Sequence, residues 1–383
     1  GIIRKTFHDE GERAMALGLW GTVGAAGAAV GPLLGGALLE HFWWGSVFLI
    51  NVPVMLIVIP ACYVLLPKVE ETTPGKWAIG QALLLIAGMI SVVYSIKAGF
   101  GAKQPLMIVA LVAVFGVAML ALFVRQQLHS PEPMLDLSLL SKPAIIAGLV
   151  MAIVAAGALG GVELTLAQEL QYVIGKTPLQ AGIFMIPVMA AAALGGPVAG
   201  FLSNMFGLRV VASLSLAIAA SSLVFLALSD FHNPGFFVPF SLAVLGLTLS
   251  IGLTASSIAI MGSVDASKAG AAGSLESTGY ELGSGLGITL FGVFTASMFG
   301  RAIQLPSGLD QSLAEQAARS IGDTFLVATR LPVEEGVALI DAGKAAFSQA
   351  HTVLLTTAGG LIGLLAVVVF FTLANYRPQN VAH

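Results

Sequence analysis

Four carboxylates lie within or at the edge of strongly apolar stretches of this sequence: Glu163, Glu169, Glu276 and Glu281. A charge at the centre of a bilayer costs on the order of 2.5–3.5 kcal/mol by insertion scales, so each should face the protein interior or a water-filled cavity. The same stretches contain no Lys or Arg that could neutralise them. A carboxylate without a basic partner can bind either a proton or a cation, and exchange of these two ligands is the chemistry of a proton-coupled cation exporter.

Glu163, Glu281 and Glu276 are the candidates for proton and cation coupling, and Glu169 is a candidate for the substrate cavity. Glu276 and Glu281 are five residues apart, about 140° around a helix, so we do not expect them to share one small site. Tyr280 follows Glu276 by four residues, where it could stack on a flat or quaternary cation or simply be a packed aromatic residue. Each glutamate could instead be hydrogen-bonded and structural, or, for Glu169 and Glu276, hydrated near the membrane interface.

The elements that must position these side chains are membrane-spanning helices. Of the 383 residues, 57% are hydrophobic and 10% are charged, whereas a soluble domain averages roughly 25% charged residues. A span needs about 20 apolar residues, and ten runs satisfy this rule: 14–38, 44–66, 78–98, 106–124, 144–168, 178–200, 209–229, 236–262, 270–298 and 352–375. The sequence therefore predicts an all-α integral membrane protein.

Several other classes of function find no support in the residues. The single cysteine, Cys62, excludes disulfides within the chain, and the six histidines lie at loops or span edges without metal-ligand spacing. No glycine-rich loop follows a strand, and no hydrolase nucleophile motif is present. The net charge of −3 gives no indication of nucleic-acid binding. We predict that the chain is not an enzyme and uses neither a metal nor another cofactor.

The longest polar interruption is 300–350, which contains six acidic and four basic residues. Its 3.6-residue periodicity predicts amphipathic surface helices outside the membrane. If the N-terminus is cytoplasmic, the inside loops hold most of the Lys and Arg of the short loops, as the positive-inside rule requires. We therefore expect cytoplasmic termini and a periplasmic 300–350 segment.

Gly27, Gly31 and Gly35 recur every fourth residue in the first apolar run, and Pro32 should bend that helix. Such a face lets helix backbones approach closely in lipid. It is either a general packing face or a pivot between two halves of a transporter.

Two adjacent motifs identify the family. The pattern Gly27-x-x-x-Gly31-Pro32-x-x-Gly35-Gly36 resembles the antiporter motif of fourteen-helix drug:proton antiporters of the major facilitator superfamily. The sequence Trp44-Gly-Ser-Val-Phe-Leu-Ile-Asn-Val-Pro53 is similar to the start of their sixth helix, and the lead-in from Arg13 to Trp20 also matches. A later segment resembles the second copy of the family's cytoplasmic loop motif, with Gly200, Asn204, Gly207 and Arg209 as its matching positions. Asn204 departs from the usual Asp, which puts a charge relay through that loop in doubt.

This resemblance implies a proton-driven exporter of lipophilic cations and biocides in a bacterial inner membrane, acting as a monomer in contact with lipid. It also implies that the spans are helices five to fourteen of a longer protein. Residues 1–66 would then be the remnant of the N-terminal bundle, 67–125 two linker helices, and 126–383 a C-terminal six-helix bundle. Two alternatives remain open: a transporter of a physiological solute such as a lipid precursor or peptide, and a truncated membrane protein without transport activity.

Overall fold

The computed structural model describes residue 27 and residues 30–65, 78–101, 104–131, 133–265 and 268–376. These residues form helices joined by short turns, and no strand occurs among them. Part of the first predicted run, the Arg13 to Trp20 lead-in, and several basic residues used for orientation lie outside the described residues.

The helices are numbered here in chain order. The first part of the chain forms α1 (30–41), α2 (Ser46–Leu49), α3 (Asn51–Leu65), α4 (Ile79–Gly101) and α5 (Leu106–His129). The central part forms α6 (Pro143–Gln168), α7 (Pro178–Phe184), α8 (Ile186–Phe206), α9 (Leu208–Ala227) and α10 (Phe237–Met261). The last part forms α11 (Ala269–Ala302), α12 (Gln311–Ala317), α13 (Ile321–Ala328) and α14 (Val333–Thr372).

Within the described residues, nine helices are long and apolar enough to cross a membrane. They correspond to the second to tenth of the predicted runs, so the prediction of an all-α membrane protein is confirmed. The run predicted at 178–200 is divided at Met185 into α7 and α8. Pro178 and Pro187 each lie in the first turn of one of these helices, where the missing N–H has no intrahelical partner to lose.

The last predicted span, 352–375, is wrong at its first boundary, because α14 is one continuous helix from Val333 to Thr372. Its 40 residues correspond to a length of about 60 Å, twice the roughly 30 Å of a hydrocarbon core. The short helices α12 and α13 precede it and pack on its first half, where Ala317, Val327 and Leu339 form a small buried cluster. The segment predicted as separate surface helices is therefore partly an extension of the last span.

The main hydrophobic core is shared by α6 to α10 and the second half of α14. Its most deeply buried large residues include Leu166, Leu216, Leu242 and Leu249, each at most 2% exposed. A hairpin of α4 and α5 lies beside α11, and a hydrogen bond of 2.8 Å from Gln127 Nε2 to Gln81 Oε1 joins its two helices. The division into 1–66, 67–125 and 126–383 stays a prediction.

Among the described residues, the glycine face formed by Gly27, Gly31 and Gly35 has no closely packed neighbour. A Cβ atom added at Gly27, Gly31 or Gly35 would have no described neighbour within 4 Å. The approach occurs at Gly36 instead, where an added Cβ would lie 2.7 Å from Leu179 Cα on α7. The Pro32 carbonyl faces Gly182 from the other side of this contact. Since α7 lies within the predicted C-terminal bundle, 126–383, α1 does contact that part of the chain, but through the next residue in the motif.

Candidate functional site

Two glycine-rich helix surfaces position the predicted carboxylates. Helices α6 and α11 run parallel in close contact, and a Cβ at Gly157 would lie 2.8 Å from the carbonyl oxygen of Gly283. A Cβ at Gly283 would in turn lie 2.6 Å from Ile153 Cα. Because these neighbours are backbone atoms that cannot rotate away, only glycine permits this interaxial distance. The contact therefore fixes the axial register of α6 relative to α11.

The same register brings Glu163, Tyr280 and Glu281 near one another beside the α6–α11 contact, a region here called the groove. Gly160 faces Ser284, whose Oγ would be 3.4 Å from a Cβ at that glycine. Glu163 lies one turn after Gly160, and Tyr280 lies one turn before Ser284. The backbone positions of Glu163 and Tyr280 are therefore offset by roughly 10 Å along the helix axes. Side chains of this length can cover most of that gap, and the Tyr280 phenol is within electrostatic range of both Glu281 and Glu163.

The three residues differ in exposure. Glu163 is half-buried, whereas Glu281 is exposed and Tyr280 is 43% exposed. No basic side chain of the described residues forms an ion pair with either carboxylate. The groove therefore holds an aromatic side chain close to two carboxylates, and such a combination favours a flat organic cation.

Glu276 lies one helical turn before Tyr280 but about 140° around α11 from Glu281. It is half-buried, and its side chain lies near the Ser257 hydroxyl of α10. This placement agrees with the expectation that Glu276 and Glu281 would not share one small site.

Glu169 is buried, so the alternative that it is hydrated at the interface is wrong. The residue is 4% exposed, and its Oε1 atom accepts a hydrogen bond of 2.6 Å from Ser348 Oγ on α14. Oε2 lies 3.7 Å from His351 Nδ1, and His351 is 2% exposed. The expectation that every histidine lies at a loop or span edge is therefore wrong for His351, which lies inside the continuous helix α14.

A π-helical turn, Glu169–Val173, directs Glu169 into this position. The turn follows α6 without a break and widens the backbone by one residue, a feature that often occurs at functional sites. Sequence reasoning missed the cluster because Ser348 and Glu169 are 179 residues apart. The available signal was the absence of Pro between Val333 and Thr372, which is compatible with one uninterrupted helix.

The predicted loop motif lies at the junction of α8 and α9. Gly207 has φ +82°, a conformation that glycine adopts easily, and it turns the chain between the two helices. Arg209 Nε donates a 2.7 Å hydrogen bond to the Phe370 carbonyl, and its guanidinium lies 3.8 Å from the centre of the Phe370 ring. Asn204 is exposed, and an added Cβ at Gly200 would have no described neighbour within 4 Å. The motif thus attaches α9 to the end of α14.

Comparison with known proteins assigns the chain. The profile of the Major Facilitator Superfamily matches residues 1–167. The methyl viologen resistance protein SmvA of Salmonella typhimurium is 42% identical over 377 residues, which cover 98% of this chain and 76% of SmvA. The chain belongs to the major facilitator superfamily. The multidrug efflux pump LfrA of Mycolicibacterium smegmatis is 30% identical, with 96% of this chain and 73% of LfrA covered. The tetracenomycin C resistance and export protein of Streptomyces glaucescens is 28% identical over 97% of this chain.

Membership of this superfamily makes the protein a multi-pass membrane transporter rather than an enzyme. Among the described residues, no group of three or more His, Cys, Asp or Glu side chains is placed to hold a metal ion. The arrangement offers two separate sets of titratable groups: the open groove with Glu163, Tyr280 and Glu281, and the closed cluster with Glu169 and His351. The roles of these residues and of the antiporter and loop motifs stay predictions.

Proposed function

We propose that this protein is a proton-coupled multidrug exporter of lipophilic cations, such as quaternary ammonium compounds, viologens, biguanides and dyes, in a bacterial inner membrane. In this proposal the termini lie in the cytoplasm and the 300–350 segment faces the periplasm. The observation that carries the proposal is the proximity of Tyr280 to two carboxylates, Glu163 on α6 and Glu281 on α11, both within its electrostatic range. The names of SmvA and LfrA, which concern methyl viologen resistance and multidrug efflux, support the substrate class.

The proposed exchange uses the two carboxylates as alternative sites for protons and cations. From the cytoplasmic side, a lipophilic cation enters the groove, its flat surface lies on Tyr280, and its charge replaces the protons of Glu163 and Glu281. The protons leave toward the cytoplasm, and the cation is released after the groove opens to the other side. Protonation from outside then neutralises the carboxylates, which allows the empty carrier to return without isolated charges in lipid.

The charge balance favours more than one titratable carboxylate. Each elementary charge that crosses a potential of 100 mV changes the free energy by about 2.3 kcal/mol. Export of a monovalent cation for one proton is electroneutral, so the pH difference alone would drive it. A dication exported for two protons is also electroneutral, and Glu163 together with Glu281 supplies the two binding sites that this exchange requires.

The test is replacement of each carboxylate by its neutral amide, Glu163→Gln and Glu281→Gln, in full-length protein in inverted membrane vesicles. Loss of a hydrogen bond or contact to a charged group costs about 1.5–3 kcal/mol, or roughly a 10- to 100-fold loss of affinity. Energised vesicles should therefore lose most ethidium and methyl viologen accumulation. Glu334→Gln, an exposed position at the start of α14, is the matched control. Normal accumulation by both groove variants at normal expression would refute the proposal.

A further inference from the structure

The buried cluster of Glu169, Ser348 and His351 has polar atoms that the protein leaves without hydrogen-bond partners. Glu169 Oε2 and His351 Nε2 are both buried and unpaired among the described residues. The 3.7 Å separation of Glu169 Oε2 from His351 Nδ1 is longer than a hydrogen bond. Burial of unpaired polar atoms is costly, so a purely structural role would be an expensive use of these two side chains.

A cavity of about 250 Å³ connects this cluster with the turn between α9 and α10. Glu169, Ser348 and His351 line its inner part, and Asp230 and His232 line its outer part. The last two side chains are 59% and 60% exposed, so this end of the cavity opens to solvent. A proton could enter here without passing through the groove between α6 and α11.

The other elements around the cluster present mainly apolar side chains to it. The imidazole of His351 stacks on Phe231 with ring centres 5.9 Å apart and also contacts Phe347. Lys176 lies over the ring of Phe184, which packs on Phe231. From α11 and α13, Phe299 and Ile321 pack in the adjoining apolar cluster.

The charged groups nearby are mostly engaged elsewhere. Asp323 on α13 accepts a hydrogen bond from Ser320, and Arg301 at the end of α11 is exposed. The charged and titratable groups that face the pair are therefore Asp230 and His232 at the mouth of the cavity. Of these, His232 is within electrostatic range of Glu169.

The two buried groups are neutral together when they hold one proton between them. Loss of that proton leaves an isolated carboxylate, and gain of another leaves an isolated imidazolium. Either state is unfavourable while the cavity is dry. Because the groups lie so close, the pair titrates as a unit rather than as two independent residues. A change in its protonation must therefore accompany a change in how water reaches the cavity.

We propose that Glu169 and His351 form a proton-binding site that is separate from the cation-binding groove. The proton reaches it through the cavity beside Asp230 and His232, and its binding is coupled to closure of that cavity. Glu169 lies six residues after Glu163 on one continuous helical segment, about 9 Å along the axis. Movement of this segment would link the two sites mechanically, although proton and cation would not compete for the same carboxyl group at Glu169.

This inference rests on the proposed function, and the test separates the two. Purified full-length protein in weakly buffered detergent is mixed with ethidium, and both ethidium binding and released protons are measured. Glu169→Gln retains an acceptor for the Ser348 hydroxyl but cannot titrate, and His351→Gln removes the imidazole. Both variants should bind ethidium but release one proton fewer per bound cation than the wild type. Glu335→Gln, exposed near the start of α14, should release as many as the wild type.

Linkage provides a second readout. The slope of log affinity against pH equals the number of protons displaced by the cation, so the slope should fall by one in Glu169→Gln. Glu169→Asp, which still titrates, should restore it. Unchanged proton release and slope in both Gln variants would overturn the inference while leaving the proposed function intact. Absence of ethidium binding by the wild type would instead overturn the proposed function, and this coupling role with it.

Should both Gln variants fail to fold, infrared difference spectra of the wild type after a pH jump decide the question. A buried carboxyl band that changes together with an imidazole band is expected. Independent changes of the two bands would overturn the inference.

Discussion

Replacement of Gly283 by alanine tests whether the glycine contact between α6 and α11 positions the groove. The new Cβ would lie 2.6 Å from Ile153 Cα and 2.8 Å from Ile153 C. An ordinary carbon contact is about 3.5–4.0 Å, so the two helices would have to separate by about 1 Å. The neighbours are backbone atoms, and no side-chain rotation can relieve the contact. Because Glu163 is on α6 and Tyr280 and Glu281 are on α11, the groove would widen by a similar amount.

The magnitude follows from a comparison with Gly285→Ala two residues away. A Cβ at Gly285 has no described neighbour within 4 Å. Both substitutions gain roughly 0.5–1 kcal/mol because alanine favours a helix interior over glycine, and this gain cancels in the comparison. Overpacking typically costs about 1–3 kcal/mol, and rigid backbone neighbours place Gly283→Ala near the upper end. We expect its free energy of unfolding to be lower than that of Gly285→Ala by about 3 kcal/mol.

This difference is measured by heating the two purified variants and determining, by size-exclusion chromatography, how much folded protein remains at each temperature. Ethidium transport in vesicles then reports the groove at a temperature where both proteins remain folded. Gly285→Ala should match or exceed the wild type in thermal stability and should match it in transport, whereas Gly283→Ala should fall in both. Equal stability and transport of the two variants would refute the role of the glycine contact, because the Cβ clash would then be relieved at no cost.

Two further predictions concern other parts of the fold. Gly36→Ala should reduce the rate of ethidium efflux because its Cβ would meet the α7 backbone at 2.7 Å, whereas Gly35→Ala, with no described neighbour within 4 Å, should not; equal rates would contradict this. The hydrogen bond from Ser138, aided by the charge of Lys268, lowers the pKa of Asp136. This stabilising contribution is complete above the unfolded pKa of about 3.9 and disappears as the pH falls through the lower folded value. Asp136→Asn should therefore reduce thermal stability at neutral pH but not under strongly acidic conditions, and a pH-independent effect would exclude the electrostatic cause.

The spans were predictable because hydrophobic length alone specifies them. Nine of the ten predicted runs have corresponding long apolar helices in the described residues. The boundaries of the helices were harder to predict where packing between distant segments determines them. In the sequence the first half of α14 resembles a separate amphipathic helix, whereas in the structure Val333–Thr372 is one continuous helix whose first half packs against α12 and α13.

The antiporter-motif glycines illustrate a second limit of sequence reasoning. A four-residue spacing identifies which residues share a helix face, but it does not identify the partner of that face. In the structure, the close approach to α7 occurs at Gly36, which is one residue from Gly35 and therefore about 100° around the helix. The spacing therefore leaves open which residue of the motif approaches a neighbouring helix, and among the described residues that residue is Gly36.

Glu169 shows why a deeply buried carboxylate was hard to predict from the sequence. Its position at the end of an apolar run left hydration at the interface as an expectation beside a role in the substrate cavity. The sequence gives the position of a residue along the helix but does not show which element packs over it. Two features reverse this expectation: the π-turn that directs the carboxyl group inward, and the extension of α14 that brings Ser348 and His351 over it. Both arise from helix packing between segments far apart in the chain. The burial of a carboxylate at the edge of a span therefore depends on the element that packs over it. For Glu169 that element is α14, which carries His351, the histidine with which Glu169 could share a proton.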